Sequence, residues 1–540
     1  MRDYFRNLRQ LPAWIARGLV LAACACGCDA SRPPARVEGE AVPKASGAND
    51  SAQAPTDLAA APRETWDILT LEGRPFGHVH TVERRVEIDG QSLVQIDIEY
   101  HMGLRRFQQA TEMSGSMRSV ETPEGAMLSF ESQDNSAGEP KLTTGRVEGE
   151  TLVLETTIGG RATTDTIAWR PGDGGLLANE QSLRASPMRP GEEREVRGFS
   201  PQVNAVTTFA MRAADFEQAR VGDRSRRLLR IDCQIRLADD KPALASRLWT
   251  DERGEVIRHD QEGGLSSHRA TREEALASRD SSVVDIGLLS KVPLARPLAN
   301  PHATRRIRYL VTTEGQDASQ IFPSCSNQSV RRVGANTAEV TVRAVRPNAG
   351  GVNMAGPATA EEAAHADRQP TDADLAPSAL IQSDDPRVVE LSLRGAAAEE
   401  TEWQTALRLE KTVFDSIANK NFSRAFASAA EVAQTLEGDC TEHAVLLAAM
   451  ARAAGLPARV AIGLVYMAPD AAFGFHMWTE VFVDGQWTPI DGTLGGGGIG
   501  AAHIKVTDTD LAGPNAYAEF LPVAQLLGRL KIEAEEIDGP

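Results

Sequence analysis

Between Gly438 and Asp491 the chain carries a cysteine, a histidine and an aspartate in that order: Cys440, His476 and Asp491. A thiol activated by an imidazole, itself held in one tautomer by a carboxylate, is the arrangement that drives acyl transfer through a thioester. The elements that carry the three residues decide whether they meet. Asp439 followed three residues later by Glu442 is a capping-box pattern, which makes Asp439 the N-cap of a helix and puts Cys440 in its first turn. That helix runs through apolar Ala444 to Ala454 and ends at Gly455-Leu456-Pro457, where glycine suits a left-handed cap and proline cannot continue. A helix this apolar is buried, so its unpaired N–H groups and positive dipole end aim at the Cys440 sulfur and favour thiolate.

The histidine and aspartate are brought together by register. Val481-Phe482-Val483 and Trp487-Thr488-Pro489-Ile490 flank Asp484-Gly485, a two-residue hairpin signal. With those two residues as the loop, Val483 faces Gln486 and, counting outward, Trp478 faces Asp491. His476 then lies on the same face as Trp478, diagonal to Asp491 and within its reach if no bulge intervenes.

Three blocks, Gly438-Asp439-Cys440-Thr441-Glu442-His443-Ala444 with Arg452 to Arg459, His476-Met477-Trp478-Thr479-Glu480, and Trp487-Thr488-Pro489-Ile490-Asp491, resemble the transglutaminase-like superfamily of papain-like cysteine enzymes. The resemblance covers residues 375 to 510. It implies that Cys440 is nucleophile, His476 general base and Asp491 its orienter, on an α+β papain-like core preceded by antiparallel β-rich domains. The expected reaction is cleavage of peptide-type amide bonds in a protein or peptide substrate, by protease or deamidase hydrolysis. Amine transfer by a transglutaminase and a non-catalytic surface-binding scaffold are the alternatives.

Taken singly, each residue has a plainer reading: a cysteine opening a helix is usually a small buried hydrophobe, and a lone strand histidine is usually just hydrogen-bonded. His443 lies one turn after Cys440, but with no further cysteine or histidine at ligand spacing nearby it reads as a buried helix histidine, and no metal is expected. Leu494 to Gly500 lacks the lysine of a phosphate loop, so no nucleotide or other cofactor is expected; the segment reads as a mobile loop at the rim of an exposed cleft, with His503 beyond it structural.

At the other end, Arg2, Arg6 and Arg9 precede an apolar run that leads into Cys24, which reads as an export signal over residues 1–23. Leu21-Ala22-Ala23-Cys24 resembles a bacterial lipobox, which would make Cys24 a lipidated N-terminus anchored in the cell envelope, although Arg17 interrupts the apolar run. An ordinary signal or tethering segment is the alternative. Residues 24–62, rich in alanine, proline, serine and glycine, read as a disordered tether.

From residue 63 to 285, short alternating runs such as Leu93 to Tyr100 and Leu228 to Ile231, separated by turns, predict an antiparallel β domain with one sheet wrapping or facing another. Residues 286–346 read as a small β-rich module, 347–374 as a linker, 375–520 as the catalytic domain with helices near Glu399 to Asn419 and Ser428 to Leu436, and 521–540 as a C-terminal tail with a terminal helix and frayed end. Cys233 and Cys325 either pair in an oxidising compartment or remain two buried thiols. With 57 basic and 75 acidic side chains the net charge is −18, which argues against a nucleic-acid partner.

Overall fold

A computed structural model describes residues 56–57 and 61–539, save 107–108, 136–139, 159, 202, 238–243, 262–263, 279–283, 286–290, 349–350, 355–366, 420–425, 513–522, 524–525 and 527. The export segment, Cys24 and most of the tether lie outside the described residues. Among the described residues, three larger sheets, a two-stranded hairpin and a helical cluster make up the fold.

Among the described residues the N-terminal part is one continuous antiparallel sheet of fifteen strands that wraps on itself, so that Phe130 of one series packs on Phe199 of the other at 4.6 Å. Eight strands from Arg63–Leu71 to Arg161–Ala168 follow one another as neighbours, and six more, Glu193–Ser200 to Leu265–Ala270, do the same. The two series are joined where Leu265–Ala270 pairs with Arg63–Leu71. Tight turns explain this sequential order. Glu72-Gly73 and Asp89-Gly90 both hold paired positive φ angles, the two-residue geometry that suits the twist of adjoining strands. Along Thr151–Ile158 side chains alternate between covered and more open, with Leu152 and Leu154 fully buried against Ile96, Met127 and Phe130. Cys233 lies in this sheet and Cys325 in the next module; both are buried free thiols, so the pairing alternative does not hold.

The small module is a four-stranded sheet in the order Gln328–Arg332, Thr337–Arg343, Arg306–Thr313, Leu530–Asp538. Its last strand corrects the expectation of a frayed end: residues 530 to 538 pair antiparallel with Arg306–Thr313, while Val523 and Leu526 before it are helical. The stabilising contacts are long-range. Ile532 is buried in the core, and Arg306 and Arg308 meet Glu536 on the paired strand. Within the stretch read as a linker, Val345–Asn348 and Gly351–Met354 form a hairpin, and Arg368 makes a two-pronged ion pair with Asp374.

The domain over residues 375–520 is α+β. Helix Cys440–Ala453 is buried from Cys440 to Arg452 and touches helices Pro386–Ser392, Glu402–Ser416 and Ala429–Thr435 on its flanks. It packs on a five-stranded sheet in which Ala472–Val483 pairs with Ala458–Met467 on one side and with Gln486–Ile490 on the other. Ala458–Met467 in turn pairs with His503–Thr509, and Val292–Pro293 adds a short edge pairing to Ala472–Val483. Arg161, in the large sheet, forms a two-pronged contact with Asp384 just before helix Pro386–Ser392, tying the N-terminal part to this domain.

Candidate active site

Cys440 sits where the capping box puts it. The Asp439 side chain accepts N–H from Thr441 at 2.9 Å, and Glu442 reaches back to accept the Asp439 N–H at 2.9 Å. The other Glu442 oxygen accepts the N–H of Ala427 at 2.9 Å, so one carboxyl ties the preceding chain to the helix start. Burial, with the Asp439 carboxylate beside it, pushes the Glu442 carboxyl up to about 8. Gly438 is required here: at φ 153° its missing side chain leaves room for Glu442, into which a Cβ would run. His443 is buried and donates from Nδ1 to the Asp439 carbonyl at 2.6 Å, the structural role expected of it.

The hairpin register is as read from the sequence. Asp484 and Gly485 have φ 52° and 77°, Val483 pairs with Gln486, and Thr479 pairs with Ile490 without a bulge. Asp491 follows directly, and its Oδ2 lies 2.7 Å from His476 Nε2. That nitrogen is committed to Asp491, which leaves Nδ1 for the Cys440 thiol, with which the ring is hydrogen-bonded. Asp491 is fixed from three further directions: its Oδ1 accepts the Thr493 N–H at 2.8 Å, its backbone N–H donates to Glu410 at 3.1 Å, and its Oδ2 also meets His503. Burial opposes charge on both triad partners, but their mutual attraction prevails. His476 is held well above the ordinary imidazole value by Asp491 and Cys440, and Asp491 well below the ordinary carboxylate value by His476 and His503. The three candidates named from sequence are therefore one hydrogen-bonded set.

Several features were not visible in the sequence. The site is closed, with Cys440, His476 and Asp491 each 0% exposed, in place of the exposed cleft expected. The glycine-rich segment is not a mobile rim. Ile499 exchanges two backbone hydrogen bonds with Val345, and Gly498 donates its N–H to Glu410. Glu410, on helix Glu402–Ser416, is buried and bonds the backbone of both Asp491 and Gly498; burial pushes its carboxyl up to about 8. A lone glutamate on an amphipathic helix gives no sign of this, because its partners come from the far side of the hairpin. His503 is drawn into the site, its Nε2 3.1 Å from the same Asp491 oxygen that His476 uses.

His476, Asp491 and His503 bring three metal-ligating atoms within 4.8 Å of one another. A tetrahedral zinc with ligands at about 2.0–2.1 Å would hold neighbouring donors roughly 3.3 Å apart. The 2.7 Å between His476 and Asp491 is instead the separation of a charge-assisted hydrogen bond, so protons join these atoms.

Behind the site lies a buried ionic cluster. Glu480 accepts from Arg459 and Lys505 at 2.7 Å each, and Arg459 also meets Asp367 and Asp508. The Arg459 guanidinium stacks 4.1 Å over the Trp487 ring. Because cluster and stack span strands Ala458–Met467, Ala472–Val483, Gln486–Ile490 and His503–Thr509, they lock the sheet that carries His476 and His503.

The family model described as the transglutaminase-like superfamily matches residues 390–492, which hold all three triad positions. This part of the chain is a transglutaminase-like domain, and that superfamily is one of cysteine enzymes. No curated protein matches. Among solved structures, a candidate cysteine protease from Cytophaga hutchinsonii is 16% identical, covering 44% of this chain and 84% of its own, with a TM-score of 0.26. A beta-barrel-like protein, a domain of unknown function from Brucella abortus, is 10% identical over 38% of this chain and 94% of its own, with a TM-score of 0.30.

Proposed function

We propose that the chain is an exported cysteine hydrolase that cleaves peptide-type amide bonds through a thioester on Cys440. The observation that supports this best is the position of the His476 ring, bonded to Asp491 through Nε2 and to the Cys440 thiol. In the resting site His476 carries the proton and Cys440 is its thiolate partner, with Asp491 balancing the imidazolium. Sγ adds to the substrate carbonyl, and the oxyanion that forms is met by the Cys440 backbone N–H at the first position of the helix. Collapse breaks the C–N bond as the His476 proton passes to the leaving amine. Water then gives a proton to His476 and adds to the thioester. Breaking the C–S bond releases the acid and restores the thiolate–imidazolium pair.

Hydrolysis is favoured over amine transfer because water needs no acceptor site of its own. The lipobox-like Leu21-Ala22-Ala23-Cys24 supports a lipid-anchored protein in the bacterial cell envelope, acting on protein or peptide there. Incubating the protein with a peptide library, with and without a labelled primary amine, tests the reaction. New peptide termini or ammonia release, abolished in Cys440→Ala and in His476→Ala, are the expected result. Amine incorporation at glutamine would make it a transferase; products that persist unchanged in Cys440→Ala would overturn the thioester on Cys440, and no product from wild type, with Cys440 also inert to alkylation, would leave only a scaffold.

A further inference from the structure

The proposed triad leaves unexplained a buried histidine that touches it. His503 opens strand His503–Thr509, two strands away from the one that carries His476, with Ala458–Met467 between them. Outer strands flanking a common neighbour lie roughly 9–10 Å apart, too far for direct contact between most side chains. Yet the His476 and His503 rings have centroids only 5.8 Å apart, and both Nε2 atoms converge on Asp491 Oδ2, at 2.7 and 3.1 Å. The intervening strand makes this approach feasible through Gly463. It pairs directly with His476 and shares a face with Val465, the partner of His503, so any side chain there would project between the two imidazoles. A Cβ at Gly463 would run into the Ile504 carbonyl and come within 2.8 Å of Trp478, whose ring packs edge-on against His503 at 5.5 Å.

We infer that His503 is a positioning residue for the triad, a second N–H donor that shares the orienting oxygen of Asp491 with His476. This rests on the thiol–imidazole reading given above. Its Nε2–H points the carboxylate oxygen between the two rings and draws on charge that would otherwise go to His476 alone. Sharing therefore fixes the geometry of Asp491 and moderates how tightly the carboxylate holds the proton of His476. The charged or titratable groups around the pair are Cys440 on the helix, Glu410 at the Asp491 backbone, and His302 with Arg346 on the far side of His503. His302 packs its ring on His503 at 5.8 Å, and burial pushes it down to about 4, so it is a neutral neighbour near pH 7 and adds no competing charge.

The test is the pH profile of Cys440 alkylation in the full chain, read by mass spectrometry of the peptide that contains Cys440. With the anionic reagent iodoacetate, whose carboxylate is drawn to the imidazolium, the profile should fall on its basic side as His476 loses its proton. In His503→Leu, which keeps bulk and removes the donor, Asp491 serves His476 alone, and the basic limb should move up by about one pH unit, equivalent to about 1.4 kcal/mol. His503→Gln, whose amide nitrogen can take the place of Nε2, should restore the wild-type limb, whereas His503→Asn, which is too short, should not. If His503→Leu does not fold, the Gln and Asn pair decides the matter alone. A folded His503→Leu with the wild-type profile, or Gln and Asn variants that lose reactivity equally with unchanged limbs, would reduce His503 to packing. Wild-type Cys440 that reacts only as an ordinary thiol would instead overturn the underlying ion pair, an outcome distinct from either.

Discussion

Glu410 offers a prediction whose sign and size both come from the fold. Its carboxyl is 1% exposed, accepts N–H groups from Asp491 and Gly498, and is pushed by burial from 4.5 to about 8. The folded state thus keeps a proton that the unfolded chain gives up. Stability from this group is fully present below the unfolded value and is lost as pH rises through about 8. Between pH 6 and pH 8 the linkage relation assigns roughly 2 kcal/mol of loss to Glu410 alone. Glu410→Gln imitates the protonated form: its carbonyl still accepts from the same backbone groups, and it does not titrate. The variant should therefore be about 2 kcal/mol more stable than wild type at pH 6, where the unfolded Glu410 has already lost its proton, and gain roughly 2 kcal/mol more on it by pH 8. Other titrating groups, Glu442 included, are common to both chains and cancel in the difference. Urea unfolding followed by hydrogen exchange in peptides spanning Glu402–Ser416 and Gln486–Ile490 reports on this domain without the large sheet. Stability curves that run parallel from pH 6 to pH 8 would refute the buried, proton-holding carboxyl.

Gly498→Ala, at φ 82° and facing the Val345 carbonyl, should cost roughly 1–3 kcal/mol of catalytic-domain stability, while Gly485→Ala, at φ 77° with open space around it, should cost about 1 kcal/mol; equal losses would show that the glycine-rich segment is not pinned. Removing residues 529–540 should uncover strand Arg306–Thr313 and abolish exchange protection around Tyr309 and Val311, and unchanged protection there would contradict the role of the last strand. Cys233 and Cys325, which burial pushes up to about 12 and about 11, should resist alkylation at pH 8 until urea is added; a disulfide-linked peptide pair in the non-reduced protein would contradict this. The mature protein purified from membranes should begin at an acylated Cys24, and a soluble product cut elsewhere would remove the anchor.

How far the site could be read from sequence depended on whether each contact was local. The capping box, the Asp484-Gly485 turn and the count from Trp478 to Asp491 all involve neighbours along the chain or across one tight hairpin, and the structure keeps that register. His503 and Glu410 escaped because their partners arise from tertiary packing. Only the pairing of His503–Thr509 with Ala458–Met467, including a register shift between Ile462 and Gly463, carries His503 to Asp491. The closing strand Leu530–Asp538 was missed for the same reason: its alternation is overlain by four acidic side chains, and its partner lies more than two hundred residues earlier. Gly498 and Gly500 likewise looked like flexibility, whereas close approach of the Val345 and His302 carbonyls is what excludes a side chain at each.

The central claim is that substrate becomes covalently attached to Cys440. Because the thiol is fully buried in this structure, a small activated acyl donor is a better probe than a folded protein. Rapid quenching at acid pH during turnover, followed by peptide mapping, should find the acyl group as a thioester on the peptide containing Cys440, absent from Cys440→Ala and accumulating when water attack is slowed. An acyl group located on another residue, or equal turnover in Cys440→Ala, would contradict the account.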